Sequence, residues 1–213
     1  MPTVDLSQPV ESGMPVYPGD PAVAVDAHAT MAADGYRVTA LSCGSHTGTH
    51  VDAPAHTEPD GATLEEFPVS RFRRDAVIAD CRGRDPREPI RPADLPTADA
   101  GAVVVRTGWH THWGDPGYLD HPYLSPAAAR HCVDQGYDVA IDALNVDPTP
   151  TEESQPDEPE GVPAHHELLG NGRLIVENLT NLGAVPEHFE LEFLPLPIAG
   201  GDGAPVRAVA RWE

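Results

Sequence analysis

His46-Thr47-Gly48-Thr49-His50-Val51-Asp52-Ala53-Pro54-Ala55-His56 sets four metal-capable side chains within eleven residues. Imidazole nitrogen and carboxylate oxygen together suit zinc, manganese or iron(II). The spacing restricts the backbone. An extended strand rises about 3.3 Å per residue, which would hold His46 roughly 20 Å from Asp52, too far for one coordination shell. A continuous helix turns position 52 away from 46 and 50, and Pro54 would break it. The chain therefore has to bend, and Gly48 is the residue that permits it. A tight turn at Thr47-Gly48-Thr49 is expected to fold both imidazoles toward one point. Elsewhere His28, His110, His112, His121, His131 and His188 stand apart and read as ordinary surface or core residues.

The flanking sequence reads as one continuous α/β domain over residues 1–213, without repeats. Residues 1–20 are Pro- and Gly-rich, with a turn at Pro18-Gly19-Asp20. Residues 22–26 and 36–42 alternate as strands do. A short helix is expected within 63–72, interrupted by Pro68. Residues 75–80, 102–106 and 138–143 read as buried strands. Between the last two, Ser125 caps a helix, Pro126 suits its first position and Gly136 closes it. Residues 146–163 carry five Pro, six acids and no base. That stretch is a long acidic loop, either a solvated insertion or a flap beside the site. A short helix over 163–169 follows, then a buried strand over 173–177. Residues 189–194 and 206–211 flank a Gly-rich turn and are expected to pair as a hairpin. That glycine cluster precedes no helix and lacks Lys-Ser/Thr, so it is no phosphate loop.

Composition narrows the function. The 213 residues suffice for a sizeable core. Thirty-four Asp and Glu face thirteen bases, all of them Arg, for a net charge of −21. Such a field repels nucleic acid and anionic membranes. It also fits adaptation to high salt, where self-repulsion is screened. No apolar run spans a membrane. The opening MPTVDLSQPVESG lacks the basic start and apolar stretch of a signal peptide, so a cytoplasmic protein is expected. Cys43, Cys81 and Cys132 form no CxxC pair and read as small buried residues, with Cys43 near the histidine segment.

The histidine segment matches HxGTHxDxPxH, the signature of the cyclase family, which includes bacterial kynurenine formamidases (arylformamidases) and isatin hydrolases. The resemblance extends to DLSQPVESGMPVYPGDP at 5–21, RTGW at 106–109, HPYLS at 121–125, IDAL at 141–144, AHHELLGNGRLIVENL at 164–179 and GDGAPVRAVA at 201–210. It implies a mixed β-sheet with flanking helices in a swivelling β/β/α fold, and a homodimer or homotetramer. It implies that His46 and His50 hold one metal, that Asp52 bridges two, and that His56 is the catalytic acid/base. It gives the second metal to His165, with Glu177 bridging twelve residues later; His166 has the poorer spacing. One or two divalent ions per chain are implied, Zn2+ first and Mn2+ as the alternative.

The chemistry of these residues agrees. A metal ion lowers the pKa of bound water toward 7, supplying hydroxide, and stabilises a developing oxyanion. A histidine not used as a ligand can deliver the proton that a leaving amine needs. The expected function is hydrolysis of a C–N amide bond in a small molecule, as in arylformamidases. A cyclase or cyclic-amide or lactone hydrolase, and a metal-containing binding protein without turnover, are the alternatives. Kynurenine formamidases of this family carry a Trp in the N-terminal segment where this chain has Tyr17, a candidate for stacking on the substrate. Phe67, Trp109 and Trp113 are the other aromatic candidates, with core packing as their ordinary use.

Overall fold

The computed structural model describes all residues, Met1–Glu213. Twelve strands alternate with short helices. The strands are β1 (Thr3–Asp5), β2 (Ala24–Ala29), β3 (Val38–Ser42), β4 (His50–Asp52), β5 (Arg73–Asp80), β6 (Pro89–Ile90), β7 (Ala102–Arg106), β8 (Tyr123–Leu124), β9 (Asp138–Ile141), β10 (Ile175–Glu177), β11 (His188–Pro195) and β12 (Gly203–Arg211). The helices are α1 (Met31–Asp34), α2 (Pro126–Gln135) and α3 (Pro163–Leu169).

Eight strands form one mixed sheet in the order β1-β12-β11-β5-β7-β9-β10-β4. Strands β5, β7, β9 and β10 run parallel, and the remaining pairs are antiparallel. One edge of β12 is shared. Its first residues, Gly203–Pro205, pair with β4, and its last, Val209–Arg211, pair with β1. Through β4 the sheet closes on itself, so the strand that carries His50 and Asp52 seams β10 to β12.

Both faces of the sheet are covered, which explains why its parallel strands are almost wholly apolar. Along β7, Val103 and Val105 join a cluster with α2, α3 and the loops outside the sheet. The alternate residues Ala102 and Val104 join the enclosed cluster with Val51, Leu191 and Phe193. Each fully buried Val or Leu contributes roughly 1.5–3 kcal/mol.

Helix α2 forms where its caps require. The Ser125 side chain accepts from Ala128 N–H, Pro126 occupies the first turn, and Gly136 closes the helix at φ 81°. The 63–72 segment makes only two single turns, Leu64–Glu66 and Val69–Phe72, because Pro68 between them is extended. Strands β2 and β3 make a separate two-stranded sheet, and every residue of β3 is exposed.

Candidate metal centre

The expected bend is present. Gly48 has φ 60°, and a Cβ there would sit 3.0 Å from Met14 Cε. Side chains lock the turn. Asn178 Nδ2–H donates to Gly48 O at 3.0 Å, and Thr49 Oγ1–H donates to Asn178 O at 2.7 Å. Asn178 follows Glu177 directly, so this lock ties the histidine segment to the end of β10.

Asp52 is fully buried at the centre of two clusters, His46/His50/Asp52 and Asp52/His165/Glu177, each with donor atoms within 4.8 Å of one another. The hydrogen bonds fix the imidazole tautomers. His50 Nδ1–H donates to Gly48 O at 2.8 Å, which leaves the Nε2 lone pair 3.2 Å from Asp52 Oδ1 and 3.5 Å from Glu177 Oε2. His165 Nδ1–H donates to Asp147 Oδ2 at 2.8 Å, which leaves Nε2 3.6 Å from both Asp52 Oδ2 and Glu177 Oε1. His46 Nε2 lies 3.1 Å from Asp202 Oδ2, while its Nδ1 lies 2.7 Å from Asp52 Oδ1. Three imidazole rings thus converge on two carboxylates, His46 through Nδ1 and His50 and His165 through Nε2. Asp52 Oδ2 has no hydrogen-bond partner at all. Buried lone pairs facing lone pairs need protons or a cation between them. The donor set therefore fits a divalent ion in each cluster.

The electrostatics carry the same message. Burial alone would depress His46 and His165. For His46 the charge and hydrogen bond of Asp52, then Asp202, outweigh it and bring the pKa to about 9. For His165 the hydrogen bond of Asp147 and the nearby charges of Asp52 and Glu177 bring it to about 10. Burial and the adjacent Asp52 push Glu177 up to about 7, while the surrounding imidazoles overcome burial to hold Asp52 well below the usual carboxylate range.

His56 ends a single turn, Pro54–His56, and is 32% exposed at its side chain. That turn is packed so closely on Gly61 that a Cβ there would lie 2.3 Å from the Pro54 carbonyl carbon. The His56 ring lies 3.9 Å from the His46 ring, and its Nδ1 lies 3.7 Å from Asp202 Oδ2. Burial lowers its pKa below the ordinary histidine value, so it is neutral at pH 7.

A cavity of about 200 Å³ brings together Tyr17, Asp20, His46, His50, Asp52, His56, Leu144, Asn145, Val162, His165 and Glu177. The expected metal ligands His46, His50, Asp52, His165 and Glu177, the expected acid/base His56 and the stacking candidate Tyr17 are all there. His166 turns outward to Glu58 at 2.8 Å. Trp109 is core, its indole donating to Tyr118 O at 3.1 Å, and Trp113 packs on Tyr118. Phe67 packs on Phe72. Tyr17 is thus the cavity's Phe/Tyr/Trp aromatic. Among the other histidines, His121 is structural: its Nδ1–H donates to Pro122 O and its Nε2 accepts from Thr149, with burial lowering its pKa to about 4. Cys81 and Cys132 are buried and their thiols pushed up to about 11 and about 12 by desolvation.

Three supporting residues escaped the sequence reading. Asp147 is fully buried and accepts from Ala164 N–H, His165 N–H and His165 Nδ1–H. Val146 N–H donates to Glu177 Oε1 at 3.0 Å. Asp202, in the β11–β12 turn, faces His46 and His56, and the adjacent Gly203 leaves space for His46: a Cβ there would fall 2.5 Å from His46 Cε1. One signal was available. Residues 145–147 follow the carboxyl end of β9, and Glu177 ends β10, where parallel sheets place their sites. The acidic loop is pinned there by the buried Arg87, which donates to both Glu158 oxygens at 2.6 and 2.5 Å, to Thr149 O at 3.0 Å and to Ser154 Oγ at 3.1 Å. Its far end, Val162, lines the cavity.

Comparison with known proteins extends the observation to the whole chain. The family described as "Putative cyclase" matches residues 4–148. A kynurenine formamidase of Salinibacter ruber is 34% identical over 99% of this chain and 98% of its own length. A solved structure described as a potential metal-dependent hydrolase with cyclase activity is 28% identical, with a TM-score of 0.77 over 100% of this chain and 99% of that one. An isatin hydrolase bound to the product analogue thioisatinate superposes with a TM-score of 0.85 at 24% identity, over 98% of this chain and 91% of that one, a likeness of fold.

Proposed function

The chain belongs to the cyclase family, and from that premise we propose that it is a metal-dependent hydrolase that cleaves the carbon–nitrogen bond of a small amide, an arylformamide being the substrate class. The observation that carries this reading is the convergence of three imidazole rings on the buried Asp52 beside a histidine that no tight hydrogen bond holds. The kynurenine formamidase relatives, 31–34% identical over nearly the full chain, supply the bond type.

His46, His50 and Asp52 would hold one ion, and Asp52, His165 and Glu177 a second. Mixed nitrogen and oxygen donors favour Zn2+, with Mn2+ next. Such an ion acidifies water and polarises a carbonyl. His56, neutral at pH 7, accepts a proton from the attacking water and returns it to the leaving nitrogen. Water adds across the C–N bond, giving formate and an amine. Tyr17 offers a face for the aryl ring, and Leu144 and Val162 shield the polar floor from bulk water. At about 200 Å³ the cavity lies below the range of drug-sized ligand sites and suits a small substrate.

A cyclic amide or lactone is the second reading, favoured by the 28% identical solved relative described with cyclase activity. Zn2+- or Mn2+-loaded protein assayed on formanilide, N-formylkynurenine and isatin separates the two. Formate release from the formamides is expected. Ring opening of isatin without formamide turnover selects the second reading, and inactivity on all three leaves a binding protein.

A homodimer or homotetramer is part of the same proposal. A two-stranded ribbon is not self-supporting in water, and β2–β3 leaves Val38 and Leu41 exposed, with Met31 and Tyr36 exposed in its connection. A second copy of the chain covering it would appear as a multiple of 22.7 kDa in light scattering. A cytoplasmic location fits the three unpaired cysteines.

A further inference from the structure

We propose that Asn145 is a catalytic hydrogen-bond donor, its side-chain amide stabilising the carbonyl oxygen of the bound amide as that oxygen gains negative charge. The proposal rests on the hydrolase reading above and names a residue that reading does not use.

Asn145 is 6% exposed and lines the cavity. Its orientation follows from chemistry. Asp147 N–H lies 2.7 Å from one atom of the amide, and only the oxygen can accept there. Nδ2 therefore points the other way. It donates to no protein acceptor, and it is not among the sealed side-chain atoms that lack partners, which are Gln8 Nε2, Asp52 Oδ2, Arg84 Nε and Arg173 Nε. The open direction is the cavity. The buried amide of Asn178 makes the contrast: its Nδ2 donates to Gly48 O and its Oδ1 accepts from Tyr118, so both ends are committed.

Few donors in the cavity are free for substrate. His46, His50, Asp52, His165 and Glu177 would hold the ions, His56 would handle the proton, Asp20 only accepts, and Leu144 and Val162 are apolar. Tyr17 and Asn145 remain. Tyr17 is half-buried and also borders the outer groove beside Pro148 and Glu160. Asn145 lies at the ion floor, because the next two residues hold it together: Val146 N–H on Glu177 and the Asp147 carboxylate on His165. A donor fixed at one end and open to the cavity is preorganised for charge that develops on a carbonyl bound there. As the water oxygen bonds to the carbonyl carbon, the C=O π pair moves onto that oxygen and Nδ2–H meets it. When the C–N bond breaks, the pair returns and the nitrogen leaves with the proton from His56.

Two substitutions separate this role from its imitations. Asn145→Asp keeps the acceptor for Asp147 N–H and removes the donor, whereas Asn145→Ala removes both. With Zn2+-loaded protein and formanilide, both variants are expected to retain their ions by elemental analysis. Both should lose about 10²–10³ in kcat while KM stays within about threefold. Loss in the Ala variant alone would make Asn145 a prop for Asp147, and loss in the Asp variant alone would reflect only the added charge. A raised KM at unchanged kcat would make it a ground-state anchor, and ion loss in both variants a structural residue. Each of these overturns the proposal. Should the wild type hydrolyse no formanilide, the functional reading fails separately, and calorimetric binding of methylphosphonate, a tetrahedral oxyanion, decides the amide's role. Weakening of about tenfold or more in Asn145→Ala is expected, and equal affinity refutes the proposal.

Discussion

Replacing Asp147 tests how the second ion site is built. Its carboxylate holds Ala164 N–H at 2.8 Å, His165 N–H at 2.9 Å and His165 Nδ1–H at 2.8 Å, with no solvent exposure. The two backbone groups belong to the first turn of α3, where no helical carbonyl can reach them, and Val162 provides no side-chain cap. Asp147→Ala orphans all three donors. At about 1–3 kcal/mol each the simple sum is an upper bound, because water enters the vacated space. A loss of about 3–5 kcal/mol, the scale of breaking a buried pair, is expected. Asp147→Asn is milder. Its single amide oxygen satisfies more donors by facing His165, which turns its NH2 against Ala164 N–H, so about 1–3 kcal/mol is lost. Both variants lose the charge behind His165, which should weaken the second ion by about 10–100-fold. Urea unfolding of the metal-free proteins gives the first quantity, and Zn2+ titration against a competing chelator gives the second. An Ala variant within about 1 kcal/mol of wild type, or one that holds both ions as tightly, would refute the reasoning.

His56→Ala should keep its ions and lose about 10²–10⁴ in turnover; loss of metal would instead make His56 a ligand. The metal-free protein should lose stability as pH rises. Raised to about 9 and about 10, protonated His46 and His165 contribute fully below pH 6.5, and that contribution disappears as pH climbs through those values. Glu177, at about 7, acts in the same direction at lower pH. Melting curves of stripped protein from pH 6 to 10 should show a falling Tm, and a flat or rising one contradicts the assignment. Arg87→Leu leaves Glu158 buried without its partner, so about 3–5 kcal/mol should be lost. Limited proteolysis should then cut within 146–163, whereas a loop as resistant as wild type would mean that Arg87 does not pin it. With a net charge of −21, the protein should melt higher in molar salt than in low salt; equal Tm values would show that self-repulsion is unimportant.

Much of this was legible in the sequence because it is local. The bend at Gly48 follows from the reach of the chain between His46 and Asp52. The limits of α2 follow from Ser125, Pro126 and Gly136, whose roles depend only on their neighbours. The buried strands follow from apolar runs. The closure of the sheet was not legible, since β4 is three residues long and pairs with residues far along the chain on either side. Nor were the supports. Asp147 reads as one more acid in an acidic loop until α3 folds back onto it, and Asp202 as a turn residue until His46 and His56 face it. Asn145 carries no motif; what distinguishes it is that Asp147 N–H fixes one end of its amide.

The central claim, an amide hydrolase that works through ions held around Asp52, is tested most directly by one titration. Protein stripped with a chelator is supplied with Zn2+ in steps while formate release from formanilide is followed. Turnover should be absent at the start, rise with added ion and level off at one or two ions per chain. Full turnover in the stripped protein, or none at saturating Zn2+ with the ions bound, would contradict the claim.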